Sequence, residues 1–283
     1  MIAELPSISN RPLYVYRVLG KWLSFFIFGL SSLILVSLIF PPMRLFIHPK
    51  DKFMRYSRRF VSFSLGGFVN FMHLIRIVDV EAENRESYRN LSSKIVAVNH
   101  PSLLDVIILF SLIPNADCIV NAYLNHSILR GVVRQLYILN SLNFEELSQA
   151  CTNSLNQGNC LIIFPEGTRT PRSGQAKIKR GAAHISLVTG RNIIPVHIGG
   201  TDKYGLGKRD PWTGFNPRER YVYRIEMGDE IKPEKYRSLS SPLAARAMTR
   251  EISGALFNNS MPAGGGPGIA GAGIADAKPM ASA

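Results

Sequence analysis

The segment NHPSLLD, residues 99–105, sets His100 and Asp105 into an otherwise apolar stretch with four residues between them. A carboxylate within reach of one imidazole nitrogen fixes the ring tautomer and stabilises the imidazolium. The other nitrogen is then free to take a proton from a hydroxyl, which is general-base chemistry. The bland alternative is a helix-capping histidine beside a chance aspartate, and only a turn that brings the side chains together separates the two. A second polar group follows the apolar run LIIF: Pro165, Glu166, Gly167, Thr168, Arg169 and Thr170. Arg169 offers a planar fork suited to a phosphate, Gly167 allows close backbone approach, Thr168 or Thr170 adds a hydroxyl, and Glu166 can orient Arg169 or the loop. Arg172, Lys177, Lys179 and Arg180 thicken the positive field, although such a run is more often a solvated loop.

Other chemistries find less support. The chain has no G-x-S-x-G nucleophile elbow, and Cys118, Cys151 and Cys160 have no C-x-x-C spacing, so they read as small buried residues in a reducing compartment. His100, His126, His184 and His197 lack the paired spacing of a metal site. No metal and no cofactor are expected, and the His and Asp pair points to direct attack by a substrate hydroxyl rather than to a covalent enzyme intermediate.

These groups need a scaffold. Residues 94–98, 117–121, 160–164, 193–198 and 221–227 read as short strands. They alternate with helical stretches in LLDVIILFSLI, through about residue 136, and near 181–190. The expected fold class is α/β: a mostly parallel central sheet flanked by helices, with an N-terminal membrane-associated helical portion. His100 then ends a strand, Asp105 lies about one turn into the next helix, and Glu166 to Arg169 follow the end of another strand, where open parallel sheets build their sites.

Residues 22–40, WLSFFIFGLSSLILVSLIF, run for 19 positions without a charge, long enough for a helix across a ~30 Å hydrocarbon core. The following PPMRLFIHPK is no signal-peptidase site, so an uncleaved anchor is expected. Residues 60–78 bring Ser62, Gly66, Asn70, His73 and Arg76 back at helical spacing, the pattern of an amphipathic surface helix, with a core helix as the alternative. Arg44, Lys50, Lys52, Arg55, Arg58 and Arg59 lie between them, against Arg11, Arg17 and Lys21 before the anchor. That bias favours residues 41 onward on the cytoplasmic face of the cell inner membrane. The expected organisation is an N-terminal segment 1–21, an anchor 22–40, a basic linker with surface helix 41–89, a catalytic-sized domain 90–257 and a Gly/Ala-rich disordered tail 258–283. Thirty-three Lys and Arg against twenty Asp and Glu, a net charge of +13, call for an anionic partner. Because the basic residues have a membrane explanation and no nucleic-acid motif is present, membrane lipids are expected and nucleic acid is not.

Taken together, NHPSLLD, FPEGTRT and IIPVHIGG, in that order over about residues 90–230, resemble the glycerolipid acyltransferase family, whose bacterial type is lysophosphatidic acid acyltransferase. The resemblance implies that His100, held by Asp105, deprotonates a lysophospholipid hydroxyl that attacks an acyl thioester of acyl carrier protein or acyl coenzyme A. Glu166, Gly167, Thr168 and Arg169 would bind the acceptor. Where many relatives place a lysine in a further acceptor block this chain has Asn121, with Arg130 or Arg134 as the partial substitute. An amino-acid-linked lipid acceptor, or a non-catalytic lipid-binding scaffold of the same fold, is the alternative.

Overall fold

A computed structural model of the chain describes residues 7–8, 10–120, 137–139, 143–171 and 177–257. Asn121, His126, Arg130, Arg134 and Arg172, all singled out above, lie outside the described residues. In chain order the elements are α1 (Arg11–Ile34), a π-helical turn (Leu35–Ile39), α2 (Phe40–Phe46), α3 (Lys50–Leu74), β1 (Val78–Ala82), α4 (Arg85–Arg89), β2 (Ile95–Val98) and α5 (Asp105–Leu112). There follow β3 (Ala116–Val120), β4 (Ile138–Leu139), α6 (Phe144–Asn156), β5 (Cys160–Ile163), α7 (Gly181–Thr189), β6 (Ile193–Gly200), β7 (Tyr221–Met227), a 3-10 turn (Pro233–Tyr236) and α8 (Ser241–Phe257).

Among the described residues, seven strands form one sheet in the order β1-β7-β6-β2-β5-β3-β4, parallel at every pairing except β6 with β7. The central strands IVAV (β2) and CLII (β5) are buried at every position, as strands covered on both faces must be. Their side chains alternate between two cores. Val96, Val98 and Ile162 join α3 and α5 residues such as Met72, Ile108 and Leu109, while Ile95, Ala97 and Leu161 join Leu155 of α6, Ala183 of α7 and Met248 of α8. The three cysteines are free and buried, and burial pushes the Cys118 thiol up to about 12, which makes it an inert packing group.

The amino-terminal helices belong to this packing. Asn10 caps α1 by accepting from the Leu13 N–H at 3.0 Å, and Pro12 suits the first turn. Pro41 and Pro42 have no N–H for the carbonyls of the preceding turn, which accounts for the widened π-helical turn just before them. The helical run Arg11–Phe46 is long and apolar enough to cross a membrane. It is also fastened to the α/β domain along its length. Lys21 Nζ donates to the carbonyls of Trp212 (2.7 Å), Gly214 and Gly205, Trp22 and Phe25 meet the Trp212 ring, Phe28 packs on Phe68, and Phe40 meets Phe53 edge-on. Phe26, Leu30, Leu33 and Leu38 point outward and are exposed. Helix α3 has the same two-sided character: Phe68, Val69 and Met72 are core, whereas Tyr56, Phe63 and Leu74 are exposed.

Candidate active site

His100 follows the carboxyl end of β2, and Asp105 opens α5. The turn between them folds the carboxylate back under the ring, with His100 Nδ1 at 2.8 Å from Asp105 Oδ2. Asp105 is fully buried and acceptor-only, so Nδ1 carries the proton and Nε2 presents a lone pair. The same carboxylate accepts from the Ser102 N–H at 2.7 Å (Oδ2) and from the Ser102 hydroxyl at 2.5 Å (Oδ1). Ser102 has one proton and has given it to Asp105. The buried Tyr223 hydroxyl of β7, 2.8 Å away, is therefore the donor in that contact, and the Leu104 N–H donates to Ser102 Oγ as well at 3.1 Å. Burial holds Tyr223 protonated well above its ordinary range. Phe164 stacks on the imidazole at 4.2 Å between ring centroids, and Asn99 exchanges two hydrogen bonds with Ile198 that fix the end of β2 against β6.

The Glu166 segment is stitched to the His100 segment. Glu166 Oε1 accepts from the His100 N–H at 3.0 Å and from the Thr170 hydroxyl at 2.6 Å, and the Thr170 N–H donates to the His100 carbonyl at 2.6 Å. Glu166 thus positions the loop that carries His100. Its other oxygen is buried with no hydrogen-bond partner, and burial raises its carboxyl above the ordinary range. Gly167 turns the chain at φ +65°, a left-handed conformation that favours glycine, and Thr168 is exposed. Thr170 rather than Thr168 supplies the structural hydroxyl.

Arg169 does not bond Glu166. Its Nη1 donates to the carbonyls of Leu206 (2.9 Å) and Gly207 (3.0 Å), which fixes the guanidinium in a recess lined by Leu103, Arg209 and Trp212. A second recess is lined by Pro101, Thr170, Thr201 and Lys203 and adjoins the first, since both share Gly207 and Asp210. Lys203 is buried, donates to the Gly199 (3.3 Å), Thr201 and Val222 (2.7 Å) carbonyls, and lies 4.5 Å from the centroid of the Tyr223 ring. Burial lowers its ammonium to about 8.

Four contributors escape a reading of the sequence by motif: Ser102, whose hydroxyl looks like one more turn residue; Tyr223, which looks like a β-strand aromatic; Phe164, the end of an apolar run; and the loop after β6 that receives Arg169. The Gly- and Lys-rich GGTDKYGLGKRD after β6 was the available signal for that loop. Of the other described histidines, His197 bonds the Leu256 carbonyl, His184 packs on Phe144, His48 bonds the Leu45 carbonyl and the exposed His73 pairs with Asp79 at 2.6 Å. Among the described residues no group of three or more His, Cys, Asp or Glu could hold a metal ion.

Comparison with known proteins gives this arrangement a context. Residues 79–199 match the family model for "Acyltransferase". A 1-acyl-sn-glycerol-3-phosphate acyltransferase of Cocos nucifera is 31% identical over 113 residues, 36% of this chain and 36% of that protein. The chain thus spans about a third of the coconut relative's length. A Mycoplasma pneumoniae protein named "Probable 1-acyl-sn-glycerol-3-phosphate acyltransferase" is 24% identical over 191 residues, 63% of this chain and 70% of the relative. The crystal structure of the 1-acyl-sn-glycerophosphate (LPA) acyltransferase of Thermotoga maritima shares the fold, with a TM-score of 0.64 and 17% identity over 87% of this chain and 99% of that one.

Proposed function

We propose that this chain, whose residues 79–199 match the acyltransferase family model, is a membrane-bound O-acyltransferase that moves a fatty acyl group from a thioester to a lysophospholipid hydroxyl. Lysophosphatidic acid is the acceptor and phosphatidic acid the product. The observation that carries this reading is the His100 and Asp105 pair, 2.8 Å apart, with the carboxylate buried and the imidazole partly open. Nε2 takes the acceptor's hydroxyl proton as the oxygen attacks the thioester carbonyl. The C–O bond forms, the C–S bond breaks, and the imidazolium returns its proton to the leaving thiolate. Asp105 stabilises the imidazolium between the two transfers. Arg169, whose Nη1 is taken up by two carbonyls, offers its remaining donors to the acceptor phosphate, and Arg209 lines the same recess.

Attachment to lipid follows from the exposed apolar side of α1 and α3. The helical run Arg11–Phe46, long and apolar enough to cross a membrane, is the anchor: its exposed Phe26, Leu30 and Leu38 meet the acyl region, while Lys21, Phe28 and Phe40 hold it to the rest of the chain. The exposed cations Arg44, Lys50, Lys52, Arg55 and Arg59 favour the cytoplasmic leaflet of the inner membrane, whereas Arg58 is buried against Asp117 and takes no part. Acyl carrier protein and acyl coenzyme A both carry the thioester this chemistry needs, and one or the other is the donor.

The test is transfer of radiolabelled acyl groups by the purified protein in detergent to a panel of acceptors. Lysophosphatidic acid should be acylated well ahead of phosphate-free monoacylglycerol and of an amino-acid-linked lipid. Equal rates on all three would remove the phosphate from the reading, and no transfer to any acceptor would leave a lipid-binding scaffold.

A further inference from the structure

A cavity of about 570 Å³ lies between the α2–α3 elbow and strands β3 and β4 at one side of the sheet. Phe40, Met54 and Tyr137 give it apolar walls, and Arg44 and Lys50 stand exposed at its rim. It lies at Asp117, the second residue of β3, and Ile138, the first of β4, whereas His100 follows the carboxyl end of β2. The catalytic recesses therefore have no part in it.

Its charge is unbalanced in a specific way. At the inner end Arg58 makes two hydrogen bonds to Asp117, at 2.8 and 3.1 Å, and Ser154 bonds the same carboxylate, so that pair neutralises itself. Arg44 and Lys50 are the surplus, and Arg44 is kept at the wall by the Phe53 ring, 5.2 Å below its guanidinium carbon. Position matters as much as charge. The uncharged run 22–40 ends at Phe40, on the cavity wall, and Leu45 and Phe46, which follow Arg44, are 70% and 81% exposed. An apolar lower wall below a cationic rim, at the level where an apolar helix gives way to basic residues, matches the boundary between acyl chains and phosphates.

We propose that this cavity is a binding site for one anionic phospholipid of the supporting membrane, distinct from the acceptor. The lipid's phosphate lies between Arg44 and Lys50, and the start of its acyl chains rests on Phe40 and Met54. The proposal rests on the reading that the outer side of α1 and α3 meets lipid.

The experiment titrates phosphatidylglycerol into the full chain in a neutral maltoside detergent and counts retained lipid by native mass spectrometry. Inorganic phosphate and glycerol 3-phosphate serve as competitors. One lipid per chain should be retained. Arg44→Ala with Lys50→Ala should weaken it roughly 30-fold, given the usual contribution of two interfacial cations. Val36→Trp, which fills the cavity and leaves the charge intact, should also expel it. Arg55→Ala with Arg59→Ala removes two exposed cations of α3 that do not line the cavity and should leave retention unchanged. Equal loss in both double variants would reduce the effect to general surface charge and overturn the site. So would full retention by Val36→Trp, or displacement of the lipid by inorganic phosphate at equal concentration. Acyl transfer to lysophosphatidic acid, followed in the same detergent, reports on the catalytic reading separately and should persist in all three variants.

Discussion

Two aspartates are buried by the same sheet, each bonded by a serine hydroxyl and by a nitrogen base, and they do different work. Asp117 on β3 holds Arg58 by two hydrogen bonds with Ser154 alongside, and Asp105 at the start of α5 holds His100 with Ser102 alongside. The bases differ in whether they can give up their proton. A guanidinium stays charged at any accessible pH, so the Arg58 pair can only fasten α3 to the sheet, whereas an imidazole exchanges protons near neutrality. Position completes the contrast, because Asp117 lies near the start of its strand and His100 just past the end of its own, where parallel sheets leave room for substrate. A base held by a buried carboxylate can serve proton transfer only when it can titrate and its far side faces an opening.

The contrast can be broken most sharply at His100. His100→Ala should lower acyl transfer by ~10²- to 10⁴-fold with thermal unfolding little changed. Near-normal turnover in a folded variant would sink the catalytic reading. Arg58→Ala should do the reverse: a loss of about 3 kcal/mol in denaturant unfolding, because it strands a buried carboxylate, with turnover per folded molecule retained. Arg58→Met combined with Asp117→Leu should recover most of that stability, and failure to recover it would show the pair to be more than a fastening.

Arg169→Lys tests whether the third charged group sides with catalysis. It should reduce kcat/KM for the acceptor on the order of 10- to 150-fold, with the thioester KM nearly unchanged, since an ammonium cannot both hold two carbonyls and present a planar fork. A loss confined to the thioester would move Arg169 to the donor side. The smallest effect is expected at Glu166. Its carboxyl is raised by burial, so its contribution to stability is full below the ordinary carboxylate range and is lost as pH rises through the higher folded value. Glu166→Gln carries no charge at any pH and should gain stability relative to the parent across that rise. Parallel pH profiles of Tm for the two proteins would contradict the assignment.

Much of this was legible in the residues. The strands around IVAV, CLII and YVYRIEM are apolar or alternating runs with clear limits, and the structure forms strands there to within a residue or so. His100 and Asp105 could be paired because a strand-to-helix turn of that length can bring them together. The partner of Arg169 could not be read, because its acceptors are backbone carbonyls of a loop whose sequence records no donor or acceptor pattern. Tyr223 was hidden for a related reason. Its role depends on β7 returning antiparallel to β6, and alternation in YVYRIEM states which face a side chain takes but not which serine it meets. The helix over 60–78 was read as either surface or core, and its packing shows why both readings fitted: one side carries Phe68 and Met72, the other Phe63 and Leu74.

The loop after β6 serves two masters. Its Gly205, Trp212 and Gly214 carbonyls receive Lys21 of the apolar helix, and its Leu206 and Gly207 carbonyls receive Arg169. It folds so tightly that a Cβ on Gly205 would lie 1.9 Å from the Gly214 oxygen, and Gly205 takes φ +90°, which leaves the loop little freedom to act as a hinge. It is a spacer of fixed height between helix and arginine. If the proposed attachment to a bilayer through that helix holds, a rigid spacer means that the acceptor is sampled by lateral diffusion at one depth. Turnover would then follow the mole fraction of acceptor in the surface, so that diluting it with inert lipid slows the reaction while diluting the vesicles in buffer does not.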